Sequence, residues 1–269
     1  MGPVITLTTD FGLVDGYQGV LEGVIAAINP EAHVIAISHQ VPAGDIDGGR
    51  YLLKAHHRFF PPGAIHLAIV DPGVGSSRKI IALKTKDYIF IGPDNGLFSF
   101  FKPREIKSIF SVTKRKYALK PISPVFHGRD IMAPAAAYAS TGVPLSALGP
   151  KINKINRPRL KRPIILRPGV KTHVIWVDRF GNLVTDFEVT EKTPISGITV
   201  NGQALGHLRK TFGEVAPGRP LAYIGSGGHL EIGVNKGSAL YYFSAANIDE
   251  IEIFLDFAKP KAPRKRKIK

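Results

Sequence analysis

The apolar run Ala64-Ile65-His66-Leu67-Ala68-Ile69-Val70 passes without a break into Asp71-Pro72-Gly73-Val74-Gly75-Ser76-Ser77-Arg78. A buried strand that ends in an acid and opens into a Pro/Gly/Ser loop sets the carboxylate at its carboxyl end, where open α/β sheets bind ligands. The glycines allow a tight reversal, so Arg78 can fold back over the same mouth. An acid and a permanent cation on one short loop suit the orientation of a polar reactant. A turn whose Asp caps its own backbone uses the same residues.

Around this loop, the first ~140 residues alternate between strand and helix patterns. Val4 to Thr9 is a strand ending at Asp10-Phe11-Gly12. Asp15 with Gln18 forms a capping-box pattern for a helix that Asn29-Pro30 stops. His33 to Ser38 is a second strand, and Asp45 or Asp47 caps a helix to about Arg58. Ile80–Lys84 and Tyr88–Ile91 are further strands, the second meeting Gly92-Pro93-Asp94-Asn95-Gly96, and Ile131 to Ser140 is an Ala-rich helix. The alternation predicts an α/β domain over residues 1–150, a mostly parallel sheet flanked by helices.

Residues 151–170 are rich in Pro, Lys and Arg and read as a basic linker. From 171 to 258 short strands separated by Gly and Asn turns predict a small β-barrel or sandwich, with strands at Thr172–Val177, Asn182–Phe187, Gly197–Val200, Leu221–Ile224, His229–Val234 and Ala239–Phe243. Residues 259–269 form a basic tail. The linker up to Lys171 holds eight Lys/Arg and the tail seven, with no acid in either; these account for the net charge of +15, since the other 21 basic residues balance 21 acids. The tail can touch RNA or an anionic surface loosely through phosphates, but a plain solubilising surface is the favoured reading.

The absence of cysteine removes disulfides and thiolate chemistry. No apolar run reaches membrane-span length and no signal peptide is visible at Met1, so a cytoplasmic protein is expected.

Four clusters can carry chemistry. Asp10 can hold two vicinal ribose hydroxyls or cap the following helix. Asp71 and Arg78 share the loop already described. Phe126-His127-Gly128-Arg129-Asp130 precedes the Ala-rich helix and can bring His127 to the sheet's carboxyl edge, while Arg129 or Asp130 caps or pairs locally. Asp178-Arg179-Phe180-Gly181-Asn182 is a turn that also fits a plain hairpin. Gly73-x-Gly75 lacks the third glycine of a dinucleotide loop and no Walker lysine follows. No metal-ligand spacing is present, since His56 and His57 fall on different helix faces.

Together, Asp10-Phe11-Gly12, Val70-Asp71-Pro72-Gly73-Val74-Gly75, Pro93-Asp94-Asn95-Gly96, Phe126-His127-Gly128-Arg129-Asp130 and Phe180-Gly181-Asn182 occur in the order found in the S-adenosylmethionine (SAM) hydrolases, and from Val4 to about Asp256 the chain resembles that family. These enzymes are also called SAM hydroxide adenosyltransferases and are related to the fluorinase and chlorinase. The resemblance implies conversion of SAM and water to adenosine and L-methionine, with Asp71, Arg78 and His127 as the catalytic set and no metal or redox cofactor. It implies Asp10 on the ribose, with Asn182, Ser226, Glu231 and the backbone near Val234 on the adenine, and Phe180 and Phe212 against the base. It further implies a homotrimer with sites at subunit interfaces.

The halogenases carry Tyr where this chain has Asp71, Ser where it has Gly128, and an inserted loop near Lys84–Tyr88; all three departures favour water over halide. A SAM-dependent halogenase, a non-catalytic adenosine- or SAM-binding module and a metal-dependent phosphoesterase are the competing readings.

Overall fold

The computed structural model describes residues 2–158, 162–166, 169–190, 192–243 and 251–257. The basic tail and part of the expected linker lie outside them. The chain divides into two compact units, Met1–Leu160 and Lys161–Lys269.

The first unit is built on a seven-stranded sheet of β1 (Val4–Thr9), β2 (His33–Ser38), β3 (Ile65–Ile69), β4 (Ile80–Lys84), β5 (Ile89–Pro93), β6 (Ser108–Ser111) and β7 (Lys151–Ile152), in the spatial order β2-β1-β3-β5-β4-β6-β7. Strands β2, β1, β3 and β5 run parallel, whereas β4, β6 and β7 pair antiparallel. The expected mostly parallel sheet is therefore half of a mixed one. Its cause is the short turn between β4 and β5, closed by Thr85 N donating to Tyr88 O at 2.9 Å. A connection of that length can join only antiparallel neighbours. Residues 151–158, expected in the linker, lie along this unit: β7 extends the sheet, Asn156 N donates to Asp94 Oδ1 at 2.7 Å, and Arg157 Nη1 donates to Ser99 O at 2.6 Å.

Helix α1 (Tyr17–Ile28) ends at Asn29 as its sequence predicts, but its start differs. Gly16 is the cap and no side chain caps the first turn. Helix α1 begins two residues after Asp15, so Gln18 falls one position short of the capping-box partner. In α2 (Ile46–His56) Asp45 does cap, accepting from Gly48 N at 2.9 Å. A single π-type turn, Gly128–Met132, leads into α3 (Ala133–Ser140). The small faces of α3 pack with Leu21 and Ile25 of α1 on Ile5, Leu7, Leu67 and Ile69, all buried.

The second unit holds two antiparallel sheets. Its strands are β8 (Ile164–Ile165), β9 (Gly169–Thr172), β10 (Val174–Val177), β11 (Leu183–Glu188), β12 (Ile195–Val200), β13 (Gln203–Gly206), β14 (Pro220–Ile224), β15 (His229–Val234) and β16 (Ile253–Phe257). One sheet has the order β10-β11-β15-β14 and the other β13-β12-β16-β9-β8. Both contribute to one apolar cluster that includes Leu183, Ile198, Leu230, Ile232 and Leu255. The strand expected at Ala239–Phe243 is instead the short helix α4 (Ala239–Tyr242). The Ser238 hydroxyl accepts from Tyr241 N and caps it, and that cap outweighs the strand preference of two tyrosines.

Candidate active site

Strand β1 lies between β2 and β3, so the chain leaves β1 toward one side of the sheet and returns on the other. This reversal opens a crevice beyond the carboxyl ends of β1 and β3. Asp10 follows β1 and Asp71 follows β3, and both line a pocket of 500 Å³ whose wall includes Phe11, Tyr17, Phe126 and His127.

The Asp71 loop folds as its sequence suggests. Gly75 adopts φ 81°, and a Cβ there would stand 2.9 Å from Pro124 O, so a side chain would break the reversal. The loop brings Arg78 back onto the carboxylate: Nε donates to Asp71 Oδ1 at 2.7 Å while Nη2 donates to Oδ2. Both side chains are about nine-tenths buried. A bidentate pair of this kind fixes the guanidinium plane as well as its charge. Arg78 Nη2 also lies 3.2 Å from His127 Nδ1. A guanidinium only donates, so Nδ1 accepts and the neutral ring carries its proton on Nε2. Burial and the Arg78 cation hold the His127 pKa below its ordinary value, against the opposing pull of Asp71 and Asp130.

His127 is placed by the π-type turn. Asp130, almost fully buried, accepts from Ser123 N at 2.7 Å and from Arg129 Nε at 2.6 Å, which ties the preceding loop to the turn. Arg129 and Asp130 thus pair locally, one of the two roles their motif allowed. Gly128 fits because a Cβ there would meet Ile69 at 3.2 Å.

Asp10 accepts from Gly44 N at 2.8 Å. Burial raises its pKa, with a further contribution from the Asp71 charge, while backbone N–H groups oppose the rise. Phe11, Tyr17 and Phe126 meet edge to face with centroids 5.4–5.9 Å apart and form an apolar side to the pocket. Tyr17 and Gly44 were not expected at this site. The sequence gives no local pattern that would single them out, because both reach it through loop geometry.

In the second unit Asn182, Phe212 and Val234 lie toward the end of the sheet β10-β11-β15-β14 where β15 finishes, whereas Ser226 sits at the opposite end, in the turn between β14 and β15. Asp178 Oδ1 accepts from Phe180 N and Asn182 N at 2.9 and 2.8 Å, and Asn182 Nδ2 donates to Asp178 Oδ2 at 2.7 Å. The turn thereby presents a buried Asn182 and leaves Phe180 76% exposed. Glu231 is buried, bonded to Tyr223, and raised in pKa first by burial and then by the Asp178 charge, with the Tyr223 bond opposing. Phe212 packs on Tyr223 at 5.1 Å. A Cβ on Gly233 would lie 2.7 Å from Phe212 and 2.8 Å from Asn182 Oδ1, so these two side chains converge over Gly233. Ser226 is exposed at the tip between β14 and β15, and Val234 is buried at the end of β15. Tyr223 escaped the sequence reading because it faces Glu231 only through strand register.

Among the described residues no group of three His, Asp or Glu side chains is placed to hold a metal ion, and no helix is long and apolar enough to cross a membrane.

A switch-point pocket flanked by a buried carboxylate–guanidinium pair and a half-buried imidazole defines an α/β protein equipped to bind and orient a small polar ligand. The SAM hydroxide adenosyltransferase N-terminal domain matches residues 5–149, and the C-terminal domain of the same family matches residues 172–252. The chain belongs to that family. It is 39% identical over 244 residues to an (R)-S-adenosyl-L-methionine hydrolase of Salinispora tropica, covering 88% of this chain and 92% of that one. A Thermus thermophilus protein of the same name is 37% identical over 253 residues, covering 89% and 94%. The crystal structure of an uncharacterized conserved protein from Thermotoga maritima superposes with a TM-score of 0.84 at 33% identity, covering 94% and 99%. Fluorinases are more distant, with one from Actinoplanes sp. 26% identical.

Proposed function

We propose that this protein hydrolyses SAM to adenosine and L-methionine. The observation that carries the reading is the convergence of Asp71, Arg78 and His127 beside the Asp10 pocket. The oxygen of a water attacks the ribose 5′ carbon, the carbon–sulfur pair passes to sulfur as methionine leaves, and the water gives up one proton. The sulfonium needs no acid to depart, so what the protein must supply is a positioned, activated nucleophile. Arg78 and the Nε2–H of His127 are donors that lower the pKa of that water. His127 has no free lone pair once Nδ1 accepts from Arg78, which favours Asp71 as the proton acceptor. Each Asp71 oxygen keeps a second lone pair beyond its bond to Arg78.

Asp10 accepts the ribose hydroxyls, and Asn182, Ser226, Glu231 and the backbone near Val234 read the adenine, with Phe180 and Phe212 against the base. The homotrimer with sites at subunit interfaces that the resemblance implies remains part of this reading, and the mass of the protein in solution tests it. The apolar cluster common to both sheets supports a small β-sandwich for the second unit.

Incubation of the purified protein with SAM, with and without a chelator and with added chloride or fluoride, separates the readings. Adenosine and methionine are expected in every arm. A 5′-halogenated adenosine would indicate a halogenase, loss of product with chelator a metal enzyme, and binding without turnover a mere SAM-binding module.

A further inference from the structure

The first unit has a second concavity, which the reaction leaves unused. His127 stands in the wall of the Asp10 pocket and also borders two adjoining hollows of 330 and 480 Å³. Arg115 and Ile122 line both; Lys114 belongs to the first and Lys120 to the second. No Asp or Glu lines either hollow, and Lys114, Arg115 and Lys120 have no ion-pair partner among the described residues. The rest of the lining is largely apolar, with Val112, Tyr117, Ile131 and Pro121 prominent.

These walls are held from behind. Thr113 N and Lys114 N both donate to Leu148 O at 3.0 Å, Leu119 N donates to Asp130 O at 2.8 Å, and Ser123 N donates to Asp130 Oδ2 at 2.7 Å. Tyr117 packs edge-on against Tyr138 at 5.0 Å. A shaped apolar hollow with several unneutralised cations attracts an anion that also has an apolar body. An ammonium group would find no carboxylate there, which selects against amino acids, methionine included.

We propose that this concavity binds a small organic carboxylate with a short apolar chain, of the size of butyrate or 2-oxobutyrate. Arg115, Lys114 and Lys120 take the carboxylate and the Ile122–Tyr117 side takes the chain. Because His127 is shared with the SAM pocket, occupancy alters turnover without occupying the substrate's place. That effect on turnover rests on the SAM-hydrolysis reading, whereas the binding itself does not.

Calorimetric titration of the full chain with sodium butyrate tests the site without any turnover, with butylammonium, L-methionine and inorganic phosphate titrated in parallel. Saturable butyrate binding in the millimolar range is expected. Arg115→Ala with Lys120→Ala should weaken it about tenfold, since each exposed charge contributes modestly. Butylammonium should not bind, and methionine and phosphate should bind no differently in wild type and variant. In a SAM assay butyrate should lower kcat and leave KM unchanged, and without butyrate the double variant should turn over SAM like wild type. Equal butyrate affinity in wild type and variant, no saturation, phosphate binding as tightly and with the same sensitivity to the variant, or competition with SAM would each overturn the proposal. A protein that binds butyrate in this way but leaves SAM intact would retain the site and refute the hydrolase reading alone.

Discussion

Arg78 Nη2 lies 3.2 Å from His127 Nδ1 while the same guanidinium grips both oxygens of Asp71, so one cation sets the geometry of a carboxylate and the tautomer of an imidazole. Lysine at this position would keep the charge and lose the fork. In Arg78→Lys, kcat for SAM hydrolysis should fall by about a hundredfold or more, the scale of losing one preorganised donor. Adenosine affinity should stay within a few-fold of wild type, because Asp10 and the adenine cluster are untouched. Calorimetry with adenosine alongside steady-state rates checks both. Wild-type kcat in this variant would remove Arg78 from the mechanism.

The depressed His127 pKa has a direction that a rate profile can read. The neutral ring persists below the ordinary histidine range, so the acid limb of kcat should fall below about pH 6.5. Arg78→Met removes the cation that helps to depress the pKa, and its limb should move upward. Arg78→Lys keeps a cation nearby, and its limb should stay close to the wild-type position while the plateau drops. Profiles of kcat against pH for the three proteins, with the His127 ring followed by NMR, decide the matter.

Asp10 is displaced the other way: burial and the neighbouring Asp71 charge raise its pKa. If the ionised form accepts the ribose hydroxyls, kcat/KM should weaken with acid above the usual carboxylate range. Asp10→Asn can still accept from Gly44 N but loses the charge. Hydrogen bonds to charged groups are worth about 1.5–3 kcal/mol, so KM should rise by about ten- to a hundredfold with a smaller change in kcat. An unchanged KM would return Asp10 to a purely structural part.

How far the molecule was legible depends on whether its determinants are local. Strands β1, β2, β4 and β15 end where their sequence patterns end, because apolar runs with turn residues at both ends leave little choice of boundary. The loop from Asp71 to Arg78 was readable for the same reason: acid, glycines and cation all lie within eight residues. Contacts set by register or by distant chain were not. Tyr223 reaches Glu231 across a strand pair, Tyr17 reaches Phe126 across more than a hundred residues, and β7 joins a sheet from a segment whose composition suggests a linker. The reading at Asp15 failed on a one-residue offset, and the one at Ala239 failed because a serine cap outweighed strand preference.

His66 yields a prediction about stability. It is fully buried on β3, its Nδ1 lies 2.7 Å from Thr6 Oγ1, and its ring stacks on Phe90 at 4.8 Å with Tyr88, His57 and Phe60 around it. Burial, with a smaller contribution from His57, lowers its pKa to about 3. Above the unfolded value of 6.5 the ring is neutral in both states and the difference contributes nothing. Below it the unfolded chain binds a proton that the folded chain refuses, so stability falls as the pH drops from about 6.5 toward 3. The limiting slope is about 1.4 kcal/mol per pH unit. Between pH 7 and pH 5 this one histidine should therefore cost about 2 kcal/mol of unfolding free energy. Thr6→Val with His66→Phe replaces the bonded pair by apolar groups and should remove that part of the loss, whatever it does to stability at pH 7. Urea unfolding of both proteins at the two pH values measures the difference, and an equal loss in each would show that His66 is not the source.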